Sequence, residues 1–559
     1  MQIDDTPSGL SAAARRKRSA SNVAAFEALE PRLLLSGFSG SESSLIASMP
    51  AMQQTVAGAP LGDTAVPDLV AAFGTVKYAS SSKVVVIVPG DSVKAPVVVT
   101  NTGTAAAAGK IALRLYISAD QTLSGDDVLL KESTNKSLKL SVGKSKKFTL
   151  KGTITDEVLP GSYYLIAQID TGGTIVESNP DNNLAATTTQ NEVVWKFGNV
   201  GTRKSVKLTL ADTDGTLLTY SLSGKGTGEP LAGELHFTGT NLQSKASIST
   251  KKSSTPGDKG RYEAPADFKI LVDGTLGRLT ASKADITGPF NVTGDLRALR
   301  LGNVNSATMT CTPAHSTDLI NLTFGNVENL SIASETPLAS LTASKWLDTD
   351  ATLDKIDAPF MGDLTMSSGD FQANIISSSL GTVRIRGSVV ERAWDIRGPI
   401  GDIIVIGQVR DSLVRSEGSM GNIVLGAVFG SDFLAGISSA CERHATQNSD
   451  FTNTNAQIAS VYIIGNQVDG SNLRCVTDSN FSAATIGSVD LMNVAFYNDG
   501  TDFGLFARNA GTSTYITGNE IGQVTYVDSV TGEQWHGRPK SSQSPGEVYR
   551  EYNFVMKIM

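Results

Sequence analysis

Asp363 and Asp402 each follow a glycine in matching segments, MGDLTM at 361 and IGDIIV at 400. Two carboxylates on one surface are the pair that cleaves glycosidic bonds, one as acid and one as base or nucleophile. Arg384 and Arg386 lie between them in the chain and are suited to hold a sugar carboxylate. A second set of candidates is metal-ligating. Cys311 and His315 are four residues apart, and Cys441 and His444 are three apart, which on paper makes a two-Cys, two-His zinc set. A third is a group of hard oxygen ligands, Asp120, Asp126 and Asp127, with Asp181 further on, of the type that binds Ca²⁺.

Each candidate has a plainer reading. Gly-Asp and Gly-Asn are ordinary turn pairs, and Asp and Asn in loops cap turns through side-chain hydrogen bonds. The acidic loop lacks EF-hand spacing. The three cysteines form no disulfide framework. Cys441 and Cys475 are the pair best placed for a bridge, against the alternative of free or buried thiols. No metal or other cofactor is expected, with Ca²⁺ the one open possibility.

The elements that would position these residues are strands. In IALRLYIS, Ile111, Leu113, Leu115 and Ile117 alternate with Ala112, Arg114, Tyr116 and Ser118. That two-residue period is the mark of a half-buried antiparallel strand. Turn segments PGDS, NTGT, LSGDD and LPGS separate such runs between 67 and 190. About seven strands there predict an immunoglobulin-like sandwich. Gly161-Ser162-Tyr163 stands where such folds carry a tyrosine corner.

Residues 195–530 repeat an apolar–Gly–x–apolar–x–apolar unit: LGRLTA at 276, FGNVENL at 324, MGDLTM at 361, LGTVRI at 380, IGDIIV at 400, MGNIVL at 420, IASVYI at 458, IGSVDL at 486 and IGQVTY at 521. Gly362, Gly381, Gly401 and Gly421 are 19, 20 and 20 residues apart. A unit this short, with three glycine turn points, has little room for a helix. It predicts a long right-handed parallel β-helix, with Val383, Ile385, Ile403 and Val405 stacked inward. Roughly fifteen turns at ~4.8 Å each would span on the order of 70 Å. Asp363 and Asp402, two turns apart, would lie ~9.6 Å from each other, near the upper limit for an inverting pair. The two Cys–His pairs would be ~30 Å apart, too far to share zinc. Residues 195–275 are expected to open the helix, and 531–559 to form a tail or cap.

Bulk composition narrows the partners. The chain has 559 residues, a net charge of −8, 18% charged residues and 54 glycines. It has no basic footprint for nucleic acid. Its longest apolar run is far shorter than the ~20 residues of a membrane-spanning helix. KSKK at 144 and TRKSVK at 202 read as solvated faces.

Two stretches resemble known families. PDLV at 67, YISAD with SGDDVLL at 116–130, and VESNPDNN at 176 resemble the cell-adhesion-related bacterial (CARDB) domain. That resemblance implies an extracellular Ig-like module and no catalysis. Residues 1–66 are expected to be disordered. Within them, Leu29-Glu30-Pro31-Arg32-Leu33-Leu34-Leu35 resembles the LEPR-XLL segment of exported planctomycete-type surface proteins, with Leu33 at the variable place. The resemblance implies export; the competing reading is a basic patch beside an amphipathic helix. The expectation is therefore an all-β, non-catalytic, extracellular or cell-surface binding rod. Surface glycans or other extracellular proteins would be its partners. The alternative is an extracellular polysaccharide lyase or glycoside hydrolase using Asp363 and Asp402.

Overall fold

The computed structural model describes residues 65–559, apart from 82, 255, 466–474, 499, 512–514 and 542, and apart from the side chain of 306. The N-terminal region and its Leu29–Leu35 motif lie outside the described residues. Every described element is a strand or a short 3₁₀ turn, so the chain is all-β.

The first strands make a sandwich. Leu69–Phe73, Lys77–Tyr78, Ser92–Asn101 and Ser145–Thr153 form one sheet of four strands. Ala107–Ser118, Val128–Leu140 and Gly161–Asp170 lead the second, of six. Ile111, Leu113, Leu115 and Ile117 are buried between them, as the alternation requires. Ser118 departs from it and is also buried, where its hydroxyl accepts the N–H of Asp120. Tyr163 forms no corner bond among the described contacts; its ring packs half-buried on the sandwich core.

From Phe197 the chain alternates between two much longer sheets, of twenty and seventeen strands. Both open with antiparallel pairs, such as Leu208–Ala211 on Leu217–Ser223. From Glu234–Thr240 and Lys245–Lys251 onward, pairing is parallel. At the far end the pairing is antiparallel again: Val524–Asp528 on Gln534–Gly537, and Gly546–Glu551 on Phe554–Ile558. Hairpins at both ends hide the row of unpaired backbone groups that a parallel stack exposes.

The parallel register is set by one column. Leu338, Met361, Leu380, Ile400, Met420, Ile458, Ile486 and Ile521 pair in succession, each buried over the last. The following residue is glycine at 362, 381, 401, 421, 487 and 522, and alanine at 339 and 459. The glycines let the strands approach closely. A Cβ on Gly381 would lie 2.8 Å from the carbonyl carbon of Gly362, and one on Gly401 would lie 3.0 Å from that of Gly381. At this spacing the Gly401 N–H donates to Leu380 O at 2.9 Å, and the Gly421 N–H to Ile400 O at 3.0 Å.

Inside, Val383, Ile385, Ile403 and Val405 are buried in one continuous core. Trp346, Phe371 and Trp394 stack edge to face along it, with centroids 5.8 and 6.0 Å apart. A buried serine column ties successive strands elsewhere in the region. Ser412 accepts the Arg392 N–H, Ser431 that of Ser412, and Ser479 that of Ser431, at 3.1, 3.1 and 3.2 Å.

The sandwich is clamped to the long sheets by Arg203, which grips Asp91 with two bonds of 2.7 Å and also donates to Val86 O. The TRKSVK segment is thus not merely a solvated face: one of its cations is a half-buried joint.

Gly401→Val should lower the melting temperature by several degrees, a loss of about 2–3 kcal/mol, because the new side chain meets backbone that cannot swing away. Gly125→Ala, where the added methyl meets nothing within 4 Å, should stay within about 0.5 kcal/mol of the parent. Thermal unfolding followed by circular dichroism checks both.

Candidate functional site

The glycine column dictates where the next residue in each turn sits. Ser340 pairs with Asp363, and Asn422 with Ser460 and then Ser488. Thr382 and Asp402 fill the steps between, so Asp363 and Asp402 do share one outward column, two turns apart. One oxygen of each is engaged by the next strand. Asp363 Oδ1 accepts the Thr382 N–H at 3.1 Å. Asp402 Oδ1 accepts both the N–H and the side-chain amide of Asn422, at 2.8 and 3.0 Å. Asn422 Oδ1 in turn accepts the Ser460 hydroxyl at 2.7 Å, and Asn321 Oδ1 that of Ser340 at 2.8 Å. The carboxylate and amide side chains of this column bond the neighbouring strand.

Thr382 stands between the two aspartates. Asp363 is exposed. Arg384 lies outward between Thr365 and Ile404, and Arg386 is exposed. Two hollows along these sheets, of about 370 and 500 Å³, lie elsewhere, around Pro359 and Arg397 and around Arg415 and Asn453.

The metal candidates are dispersed or spent. Cys311 is six strand steps from the Asp432–Ala435 strand that leads to Cys441, about 29 Å at the usual spacing. Cys311 is buried, which pushes its thiol up to about 12. His315 is exposed beside Asp318. His444 stacks flat on Phe506, 3.8 Å between centroids, and burial lowers its pKa. Of the two readings of Cys441 and Cys475, bridge or free thiols, the structure has free thiols. Cys475 lies in the long core, while Cys441 packs on a small separate cluster around Ile437, Ala445 and Phe451.

In the acidic loop, Asp120 Oδ1 accepts the hydroxyl and N–H of Thr122, which hold its carboxyl below the ordinary range. Asp126 accepts the Ser124 hydroxyl and Asp127 the Ser124 N–H. Asp181 is exposed and its N–H caps back to Asn179. Among the described residues, no group of three or more His, Cys, Asp or Glu is arranged to hold a metal ion.

Sequence reasoning passed over the buried charges. Arg392 and Asp348 form an ion pair at 3.0 Å, both under a tenth exposed. Arg415 donates to the carbonyls of Ser438 and Cys441 at 2.8 and 2.6 Å, anchoring the 436–456 insertion. Burial pushes Asp354 up to about 7, against the indole N–H of Trp346. It does the same to Asp432, against the Asn480 amide at 2.6 Å. These are aspartates in turn-like surroundings, and only the packing distinguishes them.

A raised aspartate has a definite sign. Below about pH 4 it is protonated both folded and unfolded and costs nothing. As pH rises towards 7 the unfolded chain releases its proton first, so stability falls. Asp432→Asn should remove one such group and flatten the decline between pH 4 and 7 by on the order of 3 kcal/mol. Urea unfolding across that range measures it; an unchanged slope would contradict the burial account.

Residues 66–188 match the family model of the CARDB domain. No curated protein is similar to the chain. Among solved structures, the CARDB domain of a Pyrococcus furiosus protein, in complex with di-metal ions, is 25% identical. It spans 23% of this chain and 94% of its own, with a TM-score of 0.17. A Listeria innocua β-glucosidase is 15% identical over 23% of this chain and 16% of its own, TM-score 0.15. The sporulation control protein Spo0M of Bacillus subtilis is 12% identical over 29% and 77%, TM-score 0.16. The chain thus carries a CARDB domain at 66–188, ahead of its two long sheets.

Proposed function

We propose that this chain is a non-catalytic exported protein of the cell surface or extracellular matrix. In this reading it is a binding rod: an Ig-like sandwich followed by a right-handed parallel β-helix. The observation that carries the reading is the polar column from Asn321 to Ser488. Each of its carboxylates and amides uses one oxygen to join a strand to its neighbour, as a scaffold uses them. The helix assignment rests on the chain's regular alternation between two parallel-paired sheets. Export rests on the LEPR-XLL resemblance, and the extracellular setting on the CARDB domain.

A repeating outer surface acts by multivalent contact. Many weak, evenly spaced contacts add to a strong attachment when the partner repeats as well. Surface glycans and other extracellular proteins are partners of that kind.

The test is a screen of the full chain on a polysaccharide panel, with and without Ca²⁺, scored by pull-down and by release of reducing or unsaturated ends. Binding without release is expected. Release that disappears in Asp363→Asn or Asp402→Asn would establish a glycan-cleaving enzyme instead.

A further inference from the structure

The four-stranded sheet of the sandwich carries five lysines, Lys77, Lys94, Lys146, Lys147 and Lys151, and not one Asp or Glu. The chain as a whole is acidic, at −8. The pairing concentrates the charge. Lys77 is directly opposite Lys94, and Lys94 is directly opposite Lys151. Lys147 follows on the same face, opposite Val98. All four are exposed.

Like charges directly opposite on one face repel and weaken the sheet. Elsewhere this protein compensates such charges. On the neighbouring sheet Arg114 is flanked by Glu132 and Asp170, both at 2.8 Å. The described lysine ion pairs are at Lys196, Lys259 and Lys355, away from this face. Lys146, on the alternate parity, covers the Phe148 ring and donates to Ser137 O, so it is set aside.

We infer that the outer face of this sheet, through Lys77, Lys94, Lys147 and Lys151, binds an acidic polysaccharide. The lysine row crosses three strands, so its charges repeat every ~4.8 Å over ~10 Å. Ser92, Thr149 and Thr153 lie among the lysines and offer hydroxyls to a polyhydroxylated chain. The aromatic residues of these strands, Phe73, Tyr78 and Phe148, alternate to the inner side, where they join or pack on the core. The face therefore has no ring for stacking the bases of a single-stranded nucleic acid. It also lacks the large apolar anchors that a membrane-surface binder inserts. What remains is charge and hydrogen bonding, which suit a carboxylated or sulfated glycan. The inference deepens the surface-protein reading by naming a glycan class and a place for it; it rests on that reading only for the partner being a glycan.

The experiment compares the full chain with the quadruple variant Lys77→Gln, Lys94→Gln, Lys147→Gln, Lys151→Gln. The probes are polygalacturonate, dextran sulfate, neutral dextran, phosphatidylserine vesicles and single-stranded DNA. The parent should bind the two acidic glycans and not neutral dextran, with an affinity that falls steeply with added salt. The variant should bind them at least tenfold more weakly, and should melt no lower than the parent, since only repulsion has been removed. Lys131→Gln with Lys139→Gln, exposed on the neighbouring sheet, should bind as the parent does. Undiminished binding by the quadruple variant would place the glycan elsewhere and overturn this inference while leaving the surface-protein reading intact. Tighter binding to vesicles or DNA than to either glycan would overturn it in favour of those partners. No binding of the parent to either acidic glycan would overturn it outright, with the neutral-glycan arm then testing the broader reading.

Discussion

Successive turns of the long sheets can stack in register only where the backbone of one turn lies against the backbone of the next. Along the column of Gly362, Gly381, Gly401 and Gly421 an added Cβ would lie 3.0 Å or less from the backbone of the preceding strand. The rest of the region depends on this spacing. It brings the buried Leu338-to-Ile521 series into one continuous ladder. It aligns the aromatic stack of Trp346, Phe371 and Trp394. It also places each polar side chain within hydrogen-bond reach of the next turn. Each turn alone exposes an apolar face; only its neighbours cover it, so stability is shared along the stack.

The same spacing decides what the candidate catalytic residues do. Asp363 and Asp402 come to one face, yet they arrive as rungs, each accepting a backbone N–H from the following turn. The serine column at 412, 431 and 479 does the same work inside. Polar groups in this protein are mostly consumed by its own backbone. The four outward lysines of the sandwich are the contrast: among the described residues their ammonium groups have no ion pair.

Much of the architecture was legible in the sequence. The 19- and 20-residue glycine spacing matches the register of the parallel-paired strands, and the inward positions of Val383, Ile385, Ile403 and Val405 followed from the two-residue period. The antiparallel ends were not legible, since a strand has the same period whichever way its partner runs. Nor was the Arg203–Asp91 clamp, whose partners are 112 residues apart. The burial of Asp354 and Asp432 was hidden for a similar reason: locally they resemble turn caps. Of the candidate site, the common column of Asp363 and Asp402 was readable from the repeat, while their engagement by Thr382 and Asn422 depended on the exact offset between turns. The insertion at 436–456 shifted Cys441 onto its own small core, which removed it from Cys475.

The central claim is that each turn is an equivalent unit locked to its neighbours by backbone register. Excising one whole unit tests it most directly. Deleting residues 381–400 joins Leu380 to Gly401, two positions that already meet across one step of the ladder. Deleting only 381–390 shifts the register by half a turn. Denaturant unfolding of both should show the 20-residue deletion folding cooperatively with near-parent stability and the 10-residue deletion collapsing. If the two deletions are equally destructive, the turns are not equivalent units and the account fails.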